Sequence, residues 1–341
     1  MTTILPTQHI FIKQKEESYF HLLEIQLTDM EKHINNKSIN QSFLEEYLVH
    51  NPIITYDYIF ELNLSLYRAR FDDGFDTTEP SQFSYNHNIN NIKRFRYNKD
   101  FEAVLYTSTF PSAAYQEIDD RRKRETHFFL SVWTHRIGTR NLNCALNVDG
   151  YNVQVGSTAE EFYNILCHRI GKGTSKLKYL MTLGSILEKS DSNYIFSSTV
   201  ASKLFEKHDA LITTSIKSQG SQLNITFNKF ATDNLLDLKY IYYCKVPNNC
   251  QVLAYEVDEI GFPKGDIIKW YKWKIDLSSI VFSKAPNSTI SIEELRSAII
   301  NTDISSICMF PNVNKRPSDL HNGIVIYKNV TFRVDFRIIL I

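Results

Sequence analysis

Residues 94–117 read RFRYNKDFEAVLYTSTFPSAAYQE. The short apolar run at 103–108, AVLYTS, predicts a strand. Pro111 stands where the first turn of a following helix begins, with Ser108 or Thr109 as its cap. That helix carries Ala113, Ala114 and Glu117. A core strand and helix need none of the polar groups set around them. Arg96, beside Tyr97 and Asn98, offers a planar fork of donors suited to a phosphate. Tyr106 ends the strand, where an aromatic ring can stack on a flat heterocycle.

Working outward, Arg68 sits upstream in the alternating stretch LNLSLYRAR (62–70), which reads as a half-buried strand. Downstream, HDALITTSIKSQGSQLNITF (208–227) brings Ser215 to a strand end, then a glycine-containing loop, then Asn224. Singly, each residue has an ordinary reading. Arginines are commonly salt-bridged at the surface, a strand tyrosine is commonly core, and serine at a strand end is a turn former. A glutamate in a first helical turn is favoured by the helix dipole alone.

The wider chain fits an α+β protein. A helical N-terminal segment (1–60) is predicted from Phe20, Leu23, Leu27 and Met30 at helical spacing and from a second helix over Ser42–His50, stopped at Asn51-Pro52. A core spans 61–244, and a β-rich extension packed on it spans 245–341. THFFLSVWTHRI and LNCALNVDG read as paired strands. Helices are predicted over Thr158–Ile170, Lys178–Leu187, Ser198–Lys207 and Ser291–Asn301. Strands are predicted in ALITTSI, LNITFN, LKYIYYCKV, QVLAYEV, IKWYKWKID, GIVIYKNV and FRVDFRIILI. The polar stretch FDDGFDTTEPSQFSYNHNINN is long for an unstructured loop, and such loops are often functional.

Bulk properties exclude several classes. With 341 residues, 43% hydrophobic and 22% charged, the chain can bury a sizeable core. Lys plus Arg and Asp plus Glu both total 38, so there is no basic excess of the kind a nucleic-acid-coating protein shows. No apolar run is long enough for a membrane span, and MTTILPTQHIFIKQKEE lacks the pattern of a secretory signal. The five scattered cysteines suggest a reducing compartment and buried thiols. The expected location is the cytoplasm.

Other motifs fail. GKGTSK (171–176) lacks phosphate-loop spacing, because Leu166 stands where the first glycine belongs. Cys244 and Cys250 have no matching histidine pair for zinc. DDRRKRE (119–125) reads as a solvated helix end. Trp270 and Trp273 read as cover for a sheet surface.

Taken in order, these residues resemble the RES domain family, named for its arginine, glutamate and serine. The matches are Arg68 in YRAR, Arg96 to Asn98 in RYN, Leu105 to Ser108 in LYTS, Glu117 in AAYQE, DALITTS ending at Ser215, and Asn224 in LNITF. Phe95 departs from the family, which has glycine there. The resemblance covers about residues 62–230. It implies a split β-sheet core similar to ADP-ribosyltransferases, with NAD+ as substrate in a cleft and no bound cofactor or metal. It further implies a toxin, with a protein antitoxin as partner, that consumes NAD+ by phosphorolysis or hydrolysis; inorganic phosphate is then a co-substrate. Transfer of ADP-ribose to a protein, and an inactive partner-binding scaffold, are the alternatives. The implied catalytic set is Glu117, Arg96, Tyr106 and Ser215; Arg68, Asn98, Ser108 and Asn224 would help bind the dinucleotide.

Overall fold

The computed structural model describes residues 6–35, 40–51, 53–60, 65–118, 127–188, 194–245, 256–283, 306–308, 315–327 and 330–341, with Ser291, Glu293, Glu294 and Ser297. The fold is mixed α and β. In chain order the elements are α1 (Pro6–Asn35), α2 (Gln41–His50), β1 (Tyr56–Phe60), β2 (Leu66–Phe71), β3 (Val104–Ser108), α3 (Pro111–Ile118), β4 (His127–His135), β5 (Leu142–Asn147), α4 (Thr158–Ile170), α5 (Ser175–Glu188), α6 (Ile195–Phe205), β6 (Ala210–Thr214), β7 (Leu223–Asn228), α7 (Lys229–Leu235), β8 (Leu236–Lys245), β9 (Glu256–Lys264), β10 (Ile267–Tyr271), β11 (Trp273–Ser283), β12 (Ser306–Cys308), β13 (His321–Tyr327) and β14 (Val330–Leu340). Among the described residues no helix is long and apolar enough to cross a membrane. The predicted helix over Ser291–Asn301 lies mostly outside the described residues, as do DDRRKRE and Cys250.

Two compact units divide the chain, each assembled from separated segments. The first comprises Met1–Arg68, Ser81–Glu117 and Trp133–Asp237. Its sheet runs β1-β5-β6-β7-β3-β2. The pair β5–β6 is parallel; β1–β5, β6–β7, β3–β7 and β2–β3 are antiparallel. The expected hairpin between THFFLSVWTHRI and LNCALNVDG does not form, because β5 takes β1 and β6 as neighbours instead. The reason is visible in the order of elements. A parallel partner needs a crossover, and α4, α5 and α6 provide one between β5 and β6. Sequence adjacency had favoured the hairpin.

The helices cover one sheet face. Phe20, Leu23, Leu27 and Met30 of α1 and Leu44 and Leu48 of α2 share a core with Leu180, Leu183 and Leu187 of α5 and with Phe196, Val200, Ala201 and Leu204 of α6. Ala145 of β5 and Leu211 of β6 supply the sheet side. Each such leucine contributes about 1.5–3 kcal/mol on burial. Gly184 lets α5 lie against the end of β5: a Cβ there would stand 2.8 Å from the Val148 carbonyl carbon.

The second unit comprises Ala69–Pro80, Ile118–Val132 and Leu238–Ile341. It holds the strand order β4-β8-β9-β10 and a four-stranded sheet, β11-β14-β13-β12. Phe129 stacks on Tyr243, with ring centroids 4.7 Å apart. Trp270 donates its indole N–H to the Thr77 carbonyl and Trp273 donates to Val257, so both indoles are tied to the protein's own backbone.

Candidate active site

All eight residues singled out from the sequence fall in the first unit, and four of them form one hydrogen-bonded chain. Ser108 Oγ donates to Asn224 Oδ1 at 2.5 Å. Asn224 Nδ2 donates to Glu117 Oε1 at 2.8 Å, and Ser215 Oγ donates to the same oxygen at 2.9 Å. Ser108 and Asn224 are direct cross-strand partners on β3 and β7, which fixes their side chains on one face. Ser215 follows the last residue of β6; its N–H donates to Gln222 O, and its Oγ accepts the Ser218 N–H.

Glu117 lies in the last turn of α3, not the first. There the helix dipole disfavours a carboxylate, so the dipole does not account for it. Two side-chain donors hold one of its oxygens. The other, Oε2, takes no hydrogen bond from the described residues, and Glu117 is half-buried.

Arg96 and Tyr97 form the tip of a tight turn closed by Phe95 and Asn98, where Phe95 N–H donates to Asn98 O at 3.1 Å. Asn98 is buried, and its Nδ2 donates to the carbonyls of Lys93 and Lys99, both at 2.9 Å. It therefore shapes the turn that presents Arg96. The half-buried guanidinium of Arg96 has no hydrogen-bond partner among the described residues, and its Nε is shielded from solvent. Burial alone would depress its pKa, yet neighbouring Tyr97 and Glu117 hold it above the ordinary arginine value. The ring of Tyr194 lies 5.9 Å from it.

Tyr106 stacks on Tyr97 with centroids 5.9 Å apart, and its hydroxyl accepts the Tyr97 N–H at 2.7 Å. Burial pushes that phenol's pKa well up. Its oxygen is engaged in holding the turn. Arg68 is turned to another task, donating to the carbonyls of Phe83, at 3.0 Å, and Ser84. It thus anchors the short 3-10 turn Pro80–Phe83.

Sequence reasoning missed that Ser108 and Asn224 continue into a row of polar groups across the sheet. Asn147, Thr213, Asn224 and Ser108 are consecutive cross-strand partners on β5, β6, β7 and β3, and so share a sheet face. Two residues back along the strands, that face carries Ala145, Leu211, Thr226 and Tyr106. Asn147 and Thr213 are fully buried, and among the described residues neither the Asn147 amide nor Thr213 Oγ1 has a hydrogen-bond partner. The Tyr97 hydroxyl approaches Thr213 without completing a hydrogen bond.

Glu188, at the end of α5, was also missed. Its Oε1 accepts the Thr214 N–H at 3.0 Å. Burial pushes its pKa up to about 8, with the neighbouring Asp149 adding to the effect. A polar residue ending an apolar helix looks like a solvated cap in sequence, so nothing in the pattern marked it. Comparison with protein-family models, curated proteins and solved structures finds no match for this chain in any of the three.

Proposed function

We propose that this chain cleaves the nicotinamide–ribose bond of NAD+, with the first unit as an ADP-ribosyltransferase-like core of RES type. The observation that carries the reading is the Glu117 carboxylate, with Oε1 held by Ser215 and Asn224 and Oε2 without a donor among the described residues. The RES-like order of Arg96, Glu117 and Ser215 supports it further.

Nicotinamide is a cationic leaving group, so its departure needs no general acid. The barrier lies in the oxocarbenium that develops on the ribose as the C–N bond breaks and its electron pair leaves with nicotinamide. A carboxylate fixed beside that carbon stabilises the transition state more than the ground state. Two unit charges about 4 Å apart are worth roughly 4 kcal/mol at an effective dielectric near 20. That amounts to about a thousandfold in rate. Ser215 and Asn224 orient the carboxylate, which spares reorganisation during reaction. An oxygen of phosphate or water then bonds to the ribose carbon. Arg96 holds the anionic part of the substrate in register.

The test is nicotinamide release from NAD+ by the pure protein, with and without inorganic phosphate. Release stimulated by phosphate indicates phosphorolysis, and release indifferent to it indicates hydrolysis. ADP-ribose attached to an added protein would reassign the chain as a transferase. No nicotinamide release under any of these conditions overturns the proposal.

A further inference from the structure

We infer that the C-terminal end of β6 carries a subsite for a phosphoryl anion, held by the Arg96 guanidinium, the N-terminus of α6, and the side chains of Ser197, Thr213 and Asn147. None of the last three was marked by the sequence. The subsite rests on the NAD+ reading only for which molecule brings the phosphoryl group.

The chain path brings these groups together. Only Glu206–Asp209 separate α6 from β6, so the helix runs back along the strand and starts over the strand's end. The core-facing stripe of α6 is Phe196, Val200, Ala201 and Leu204. Ser197 lies one turn before Ala201 on that stripe, which aims it at the sheet face carrying Asn147 and Thr213. Ser197 is buried, and its Oγ has no partner among the described residues. The residue before the helix, Tyr194, has a left-handed backbone (φ 52°) and supplies no side-chain cap. The first N–H groups of a helix lack intrahelical acceptors, and the dipole there favours an anion. Tyr194 also brings its ring to Arg96.

The donor set selects the ligand class. One permanent cation, a helix N-terminus, two hydroxyls and an amide make a donor-rich cradle that suits the several acceptor oxygens of a phosphoryl group. An unsatisfied buried polar group costs stability, and here the side chains of Asn147, Thr213 and Ser197 have no hydrogen-bond partner among the described residues. Glu188, beside Thr214, is mostly uncharged below about pH 8 and adds little repulsion.

The experiment reads binding rather than turnover, so it stands or falls separately from NAD+ cleavage. Inorganic phosphate and ADP-ribose are titrated calorimetrically into the full chain at constant ionic strength. Phosphate displaced by ADP-ribose assigns the subsite to the dinucleotide's pyrophosphate. Phosphate and ADP-ribose binding together assigns it to a free co-substrate, and ADP-ribose binding alone assigns it to the pyrophosphate. Ser197→Ala and Thr213→Val should each weaken phosphate, or ADP-ribose where it alone binds, by about tenfold, the loss expected for one hydrogen bond to a charged group. Both variants should fold, and Ser197→Ala should hold or raise the ligand-free melting temperature, because the hydroxyl it removes has no partner among the described residues. Absence of binding by either probe, or unchanged affinity in both folded variants, overturns the subsite.

Discussion

Asn224 joins Glu117 to the sheet: its Nδ2 donates to Glu117 Oε1 at 2.8 Å, while its Oδ1 accepts from Ser108. The amide is read at both ends: it donates to a carboxylate and accepts from a hydroxyl, whereas an ionised carboxylate can only accept. Asn224→Asp should therefore set two carboxylates against each other. We expect nicotinamide release to fall at least tenfold at pH 7.5 and the melting temperature to drop, with partial recovery of both at pH 5 as one carboxyl protonates. A pH-independent loss would show that charge repulsion is not the cause.

Glu117→Gln keeps the shape but removes the charge that the proposed mechanism sets against the ribose. Loss of about a thousandfold in kcat is expected from the Coulomb term, with the fold retained by circular dichroism. Full activity in this variant would end the role given to Glu117.

Tyr106→Phe removes the acceptor for the Tyr97 N–H, a 2.7 Å hydrogen bond that ties the Arg96 turn to β3. The stranded N–H should cost about 1–3 kcal/mol, read as a lower denaturation midpoint with an unchanged slope. Because Arg96 sits in that turn, KM for NAD+ should rise more than kcat falls.

Much of this arrangement was legible because its residues sit at element ends, where punctuation is strong. Pro111 marks the start of α3, and the Gly220 turn separates β6 from β7. The polar residues near those marks are Ser108, Glu117, Ser215 and Asn224. Asn98 and Arg68 looked the same in sequence but bond to backbone carbonyls, a difference set by chain folding rather than residue type. Asn147, Thr213 and Ser197 were illegible for the opposite reason. Each lies inside a run whose apolar periodicity reads as core; the cross-strand register aligns Asn147 with Thr213, and the helix α6 carries Ser197. The pairing of β5 was misjudged because a crossover through three helices leaves no local signal.

Glu188 makes stability depend on pH in a direction opposite to most carboxylates. Its pKa is raised from an ordinary 4.5 to about 8 in the folded chain. Between those values the native state binds more protons than the unfolded state, so stability is fully present below about pH 4.5 and declines as pH rises through 8. Glu188→Gln keeps an acceptor for Thr214 N–H and should remove this decline. The variant is expected to exceed the parent in stability at pH 8 by an amount on the order of a few kcal/mol, and to converge with it near pH 5. Parallel pH profiles would show that the carboxyl is not held neutral by burial.

Gly184 lies one helical turn before Glu188, and a Cβ there would stand 2.8 Å from the Val148 carbonyl carbon and 3.0 Å from the Asp149 nitrogen. These are backbone atoms at the end of β5 and cannot swing aside like a side chain. Alanine favours a helix interior over glycine by about 1 kcal/mol, whereas overpacking against backbone costs about 1–3 kcal/mol. The clash should win, so Gly184→Ala is expected to lower the melting temperature. It should also push α5 off the sheet and loosen the Glu188–Thr214 hydrogen bond, flattening the pH dependence that Glu188 imposes. A Gly184→Ala chain that is more stable, with that pH dependence intact, would mean the helix approaches β5 less closely than these distances describe.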